Sequence, residues 1–188
     1  FWKNLVELGW AGIHLPEEFG GSGAGLQELV VIVEQLGYAM APGPFLPTVW
    51  ASSLVNQLAD IGLKHDLLPQ LADGSLIAAV GVSGDLQRTA ENVIEGSAGL
   101  VLGAGLADIL LLKVDDDLVI VDKNQSGLSV KQQANIDPSR RVAQVDCSAV
   151  SIEPARVLSG AYGEALRLGR TLAAAEACGG AYACTEMA

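Results

Sequence analysis

Basic side chains, aromatic rings, cysteine and histidine are all scarce in this sequence of 188 residues. Its 11 Lys and Arg residues stand against 22 Asp and Glu residues, which gives a formal net charge of −11. Such a chain repels phosphate backbones and has no basic stripe to offset the repulsion, so nucleic acid is excluded as its main partner. An anionic membrane surface is disfavoured for the same reason.

The three cysteines, Cys147, Cys178 and Cys184, lie far along the sequence from either histidine. An odd and small number of cysteines predicts neither a disulfide framework nor a metal site, and a reducing cytoplasm is the expected location. No uncharged apolar run reaches the roughly 18 residues that a membrane-spanning helix needs, and no signal peptide is visible.

Hydrophobic residues are plentiful, at 50% of the sequence, and can fill a substantial core. The sequence opens on Phe1 inside one amphipathic pattern and stops at Ala188 inside another, which predicts a piece of a longer protein. In the last pattern, Arg170, Ala173, Ala177 and other mostly small residues share one helical face, which predicts a close helical neighbour outside this sequence.

The residue pattern changes twice along the chain, and the changes predict three segments. Residues 1–73 have helical periodicity, with apolar residues recurring from Leu26 to Met40 and further helices at 48–58 and 64–71. Residues 74–158 hold short Val-, Ile- and Leu-rich runs between turns, which predicts a β domain. Residues 159–188 predict a helix that starts another helical layer.

Seven runs in the middle segment are predicted to be strands, with a hairpin turn at 115–117. No helical pattern separates them, so they favour an antiparallel barrel or sandwich over a parallel sheet with crossover helices. The predicted fold class is therefore α+β. The predicted strands are 76–82, 91–95, 99–102, 109–114, 118–121, 141–145 and 152–157.

Motifs for self-contained chemistry are weak in this sequence. The segment from Gly103 to Asp108 resembles a dinucleotide-binding loop, but Asp108 replaces the third small residue and a strand pattern follows where a helix is needed. The glycine-rich segment 20–25 lacks the Gly-Lys-Ser/Thr of a P-loop and is interpreted as a helix-entry loop. No metal-ligand spacing or triad signature is present, and His14 and His65 are predicted to have solvent or loop roles.

A resemblance supplies what these patterns do not. The run Glu-Leu-Gly-Trp-Ala-Gly-Ile-His-Leu-Pro-Glu-Glu-Phe-Gly-Gly at 7–21 resembles the N-terminal domain of the acyl-CoA dehydrogenases. Segments 34–37 and 41–47 are similar to actinobacterial-type members, and the likeness continues at 107–108, 137–141 and 157–160. The resemblance implies an N-terminal α domain, a middle β domain and the first helix of a C-terminal bundle.

The resemblance also implies an activity. Members of this family use FAD to dehydrogenate an acyl-CoA thioester to a trans-2-enoyl-CoA, and they pass the electrons to an electron-transfer flavoprotein. Some work as homo-oligomers, and others as heteromeric pairs in which one subunit supplies the chemistry.

The family's flavin-binding segments map onto two stretches of this chain. The first implies cofactor contacts from Val80, Gly81 and Val82, with Gly81 where the family has a threonine. The second implies contacts from Leu100 and Leu102, where the family has tryptophan and threonine. Leucine can pack on a flavin ring but cannot donate a hydrogen bond to it.

Substrate contacts are implied for Ser83 and Arg170, and no catalytic residue is implied within the sequence. In one subgroup the catalytic base precedes the position of Arg170, but here that residue is Gly169, which has no side chain. Two hypotheses follow. The chain belongs either to a complete acyl-CoA dehydrogenase or to a non-catalytic subunit that completes the dimer and flavin site of a heteromeric one.

Overall fold

The computed structural model describes all residues from Phe1 to Ala188. Four α-helices precede the sheets and one long helix follows them. The fourth helix begins after Asp60, whose side-chain oxygen accepts the backbone N–H of Leu63 at 2.8 Å and so satisfies one free donor of the first turn. None of the helices is both long and apolar enough to cross a bilayer. The helices are α1 (Trp2–Glu7), α2 (Leu26–Tyr38), α3 (Phe45–Leu58), α4 (Ile61–Ala72) and α5 (Tyr162–Met187).

Eight strands form two four-stranded sheets that lie face to face without closing into a barrel. Sheet 1 has the order β1-β4-β5-β8 and sheet 2 the order β2-β3-β7-β6. The strands are β1 (Ala78–Gly81), β2 (Gln87–Ala90), β3 (Val93–Val101), β4 (Ile109–Val114), β5 (Asp117–Asp122), β6 (Leu128–Gln132), β7 (Ala143–Ser151) and β8 (Val157–Leu158).

The predicted α+β class is confirmed, as a sandwich and not a barrel, but several strand predictions were wrong. Strand β1 pairs with β4 in parallel, the one exception to antiparallel pairing. The predicted strands 91–95 and 99–102 are one continuous strand, β3, with bulges that kink it at glycines. The segment 152–157 is mostly a short 3₁₀ turn, and the polar strands β2 and β6 were missed because they carry little apolar pattern.

Sheet 1 is buried on both faces. Ile109 and Leu111 of β4 point to α3, α4 and α5, whereas Leu110 and Leu112 point to sheet 2. Such alternation between two dry faces produces the continuous apolar run of β4, as expected for a central layer. The predicted segment boundaries after 73 and after 158 fall in the links from α4 to β1 and from β8 to α5, and the division into domains stays a prediction.

Helix α5 packs against α2 through glycines. A Cβ on Gly179 would collide with the backbone of Glu34 and Tyr38, and one on Gly37 would collide with the backbone of Glu176. Only glycine lets two helix backbones approach so closely. On the small-residue face predicted on α5, Arg170, Ala173 and Ala177 are exposed, and Ala173 and Ala177 line a cavity together with Gly37 of α2 and the loop at 137–140.

We expect Gly179→Ala to destabilise the protein by about 1–3 kcal/mol, because the added methyl group must push the two helix backbones apart. Gly163→Ala is the matched control, since Gly163 lies in the same helix with open space where its Cβ would be. Urea unfolding of both variants measures the difference, and equal stability of the two would contradict the close approach.

Candidate functional site

The residues that the resemblance assigns to FAD come from the ends of two strands in different sheets, β1 of sheet 1 and β3 of sheet 2. A Cβ on Gly81 would lie 2.9 Å from Val101 Cγ2 and 3.7 Å from Ala98 Cβ. Just beyond β1, the Ser83 hydroxyl donates to the carbonyl oxygen of Ala98 at 3.4 Å. The structure therefore brings the stretch 81–83 against the stretch 98–101.

The side chains of the five predicted FAD contacts point in different directions. Val80 is buried against the helices, and any side chain at Gly81 would enter the core between the sheets. Val82 is half-buried against the helical side, and Leu102 is half-buried against the α2 and α3 cluster. Leu100 alone among the five presents a mostly exposed side chain, which is 60% exposed.

A polar network that the sequence analysis missed lies beside Leu100 on the outer face of sheet 2. Gln144 Nε2 donates to Ser97 Oγ at 2.7 Å and to Asp146 Oδ1 at 2.9 Å, and Ser97 Oγ donates to Asp146 Oδ1 at 2.8 Å. These two donors lower the pKa of the Asp146 carboxyl, so it stays ionised. The only sequence signal for this position is that the polar Gln144 stands between the apolar residues Ala143 and Val145, which in a strand puts its side chain on the outer face of the sheet.

Comparison with known proteins places this arrangement in a family. Residues 1–75 match the family model for the acyl-CoA dehydrogenase N-terminal domain. The chain is 29% identical over 177 residues to FadE34, an acyl-CoA dehydrogenase of Mycobacterium tuberculosis; the match covers 94% of this chain and 24% of FadE34.

Solved structures agree over both sheets and all five helices. The Tcur3481-Tcur3483 steroid ACAD matches with a TM-score of 0.87 at 25% identity, over 99% of this chain and 55% of that chain. The ChsE4-ChsE5 complex from Mycobacterium tuberculosis matches with a TM-score of 0.81 at 22% identity, over 91% of this chain and 52% of that one.

The chain is also 30% identical over 145 residues to IpdE2, an acyl-CoA dehydrogenase of Mycobacterium tuberculosis, in a match that covers 77% of this chain and 39% of IpdE2. The chain belongs to the acyl-CoA dehydrogenase family. This confirms the resemblance found in the sequence. The chain spans 24% of FadE34 and about half of each solved chain, so the activity of the whole protein is a matter for proposal.

Acyl-CoA dehydrogenases depend on FAD, whose flavin ring has flat apolar faces and a polar edge. Leu100 offers exposed apolar surface of the kind that a flat ring covers, and Gln144 beside it offers an oriented amide. None of the five predicted FAD contacts has a side-chain donor, and the space at Gly81 leaves no room for one. A bound flavin ring would thus make apolar contacts with these five residues, and any side-chain hydrogen bonds to it would have to be donated by other residues.

The position at which one acyl-CoA dehydrogenase subgroup carries its base is filled by an indole. Trp50 of α3 donates Nε1–H to the carbonyl oxygen of Ala165 at 3.0 Å, and its ring lies directly over Gly169, where a Cβ would collide with it. A carboxylate side chain at Gly169 has no space while Trp50 stays in place. Arg170 lies exposed on α5 and takes part in none of the chain's ion pairs.

His14 is buried rather than solvated, contrary to the sequence expectation. It is 6% exposed, its Nε2 lies 3.0 Å from Ser52 Oγ of α3, and its Nδ1 has no hydrogen-bond partner. Burial lowers the pKa of His14 to about 4 from an ordinary 6.5, because the charged ring would lose its hydration. His65 is exposed on α4, with its ring edge-on to Phe19 at 5.1 Å between centroids. No acid completes a triad with His14 and Ser52.

We expect the buried His14 to make folding stability fall in mild acid. The folded state binds the proton more weakly than the unfolded state, so stability is full above pH 6.5 and declines as pH falls towards about 4. The pKa difference corresponds to a loss of about 3 kcal/mol.

Urea unfolding as a function of pH tests this expectation. His14→Gln should flatten the stability profile between pH 6.5 and 4, whereas His65→Gln, the matched control at an exposed position, should keep the wild-type slope. Identical profiles for wild type and His14→Gln would show that His14 does not cause the loss.

Proposed function

We propose that this chain forms part of an acyl-CoA dehydrogenase that converts an acyl-CoA thioester to a trans-2-enoyl-CoA. Family membership, together with exposed Leu100 beside the end of β1, is the observation that supports the proposal. Bound FAD would supply the acceptor for the β-hydride of the substrate, and a carboxylate base from outside residues 1–188 would take the α-proton. An electron-transfer flavoprotein as electron acceptor, and a cytoplasmic location, complete the proposal.

The chain's own residues have binding roles in this reaction. Leu100 supports one face of the ring, and the backbone of Val80, Gly81 and Val82 borders it. The exposed residues Ser83 and Arg170 contact the substrate. Since Arg170 is exposed and in no ion pair, its guanidinium is free to bind a phosphate of coenzyme A.

A second candidate is favoured by the indole over Gly169. In that candidate the chain is the non-catalytic subunit of a heteromeric acyl-CoA dehydrogenase, and the carboxylate base comes from the partner subunit. The absence of side-chain donors at Gly81, Leu100 and Leu102 supports the same conclusion, because the partner would then complete the flavin site. The relative Tcur3481-Tcur3483, which pairs two components in its name, is a precedent for such an assembly.

The visible absorption spectrum tests both candidates. The protein is purified alone and after co-expression with the protein encoded next to it. We expect flavin bands in the co-expressed sample and their anaerobic bleaching by an acyl-CoA. Flavin bound and bleached in the protein alone would overturn the non-catalytic candidate, and no flavin in either sample would overturn both.

We expect Arg170→Gln to raise the acyl-CoA concentration needed for half-maximal bleaching about threefold to tenfold, because one charge-assisted contact is lost at an exposed site. The flavin content should not change. Arg167→Gln is the matched control, since Arg167 lies one turn away on α5 and is paired with Glu164. Equal effects of the two substitutions would contradict a specific role for Arg170.

A further inference from the structure

The segment at 137–141, which carries part of the family resemblance, places its two arginines in different surroundings. The guanidinium of Arg140 donates to Glu176 Oε1 of α5 at 2.7 Å, and its Nε lies 3.5 Å from Asp137 Oδ2, so two carboxylates neutralise it. Arg141 is exposed and takes part in none of the chain's ion pairs. One guanidinium of the segment therefore joins the β6–β7 loop to α5, and the other is free to bind a ligand.

A polar cavity of about 220 Å³ lies between the end of β6 and the start of β7. The polar residues that line it carry three amides, one carboxylate and two guanidinium groups: Gln132, Gln133, Asn135, Asp137, Arg140 and Arg141. The carboxylate of Asp137 already accepts the backbone N–H and the hydroxyl of Ser139 and pairs with Arg140. Arg141 contributes the unpaired charge, so this cavity attracts an anion although the whole chain has a net charge of −11.

The cavity lies at the same end of sheet 2 as the predicted flavin contacts of β3. Val101, the last residue of β3, pairs with Ala143 at the start of β7, two residues from Arg141. The loop that follows Leu102 rests on Arg141. In that loop the N–H of Gly105 donates to the Arg141 carbonyl oxygen at 3.0 Å, and a Cβ on Gly105 would lie 3.2 Å from Arg141 Cβ.

A second cation lies on the same loop. Lys123, which follows β5, donates from Nζ to the carbonyl oxygen of Gly105 at 3.4 Å and takes part in no ion pair. Gly105 therefore has an unpaired basic residue on each side, in a chain that has few basic residues.

A phosphate group is the anion that suits this arrangement. A guanidinium binds phosphate oxygens through two parallel N–H donors, and an ammonium adds a point charge. Both ligands of the proposed reaction carry phosphate. In FAD a ribityl chain joins the flavin ring to a pyrophosphate, and in an acyl-CoA the pantetheine joins the acyl group to one.

We infer that Arg141, with the amides of the polar cavity and the charge of Lys123, binds a phosphate group of FAD or of coenzyme A. The inference rests on the proposed function, since both ligands belong to it.

The test separates the two sources of phosphate by using ligands that lack it. Dissociation constants of FAD and of riboflavin, which has the same ring and no phosphate, are measured by flavin fluorescence on the preparation that binds flavin in the absorption experiment. If FAD is the source, Arg141→Gln should weaken the binding of FAD about tenfold and leave that of riboflavin unchanged.

If coenzyme A is the source, Arg141→Gln should leave the affinity for FAD unchanged. It should instead raise the acyl-CoA concentration needed for half-maximal bleaching about tenfold. The concentration of the corresponding acyl-pantetheine, which has no phosphate, should not change.

Lys64→Gln is the matched control, because Lys64 lies on α4 outside the cavity, has no ion pair, and its replacement changes the net charge by the same amount. It should keep all wild-type values. The inference is overturned, and the proposed function stands, if Arg141→Gln changes neither affinity, weakens riboflavin as much as FAD, or behaves like Lys64→Gln. Absence of flavin from every preparation would overturn the proposed function and the inference together.

Discussion

The burial of sheet 1 on both faces is the constraint on which the rest of the structure depends. The apolar side chains of β4 alternate between two dry interfaces, so one layer of helices and one second sheet must cover it. The helical layer and sheet 2 each pack their inner face on sheet 1, so the outer face of sheet 2 is not used for this packing. Leu100 and Gln144 lie on that free face, and the candidate flavin surface is a consequence of the layering.

Two close contacts at glycines join helix α5 to the other helices. Gly37 and Gly179 allow α2 and α5 to touch, and Trp50 joins α3 to α5 by packing on Gly169. The same indole that stabilises this joint removes the space for a base at residue 169. Packing therefore leaves no room for a longer side chain at residue 169, and this is the observation on which the proposed non-catalytic subunit rests.

Much of the architecture was predictable because it follows from local periodicity. The strand at 109–114 was predicted correctly and the hairpin turn to within one residue, since Asp117 already belongs to β5. A short apolar run and turn residues act over only a few positions. The strands β2 and β6 were not, because their side chains are mostly polar and only pairing with β3 and β7 makes them strands. His14 was misjudged for a similar reason, since burial beside Ser52 depends on residues 38 positions apart.

By itself the sequence determined the family and the succession of a helical segment, a β segment and a final helix, and the flavin contacts that the resemblance implies at 80–82, 100 and 102 stay a prediction. These properties reside in motifs and short-range patterns. Only the tertiary structure decided that Leu100 is exposed, that Gln144 lies opposite it with its amide oriented, and that Trp50 covers Gly169. Each of these depends on strand register or helix packing between segments that are distant in sequence. A local sequence pattern carries no information about which distant segments pack together.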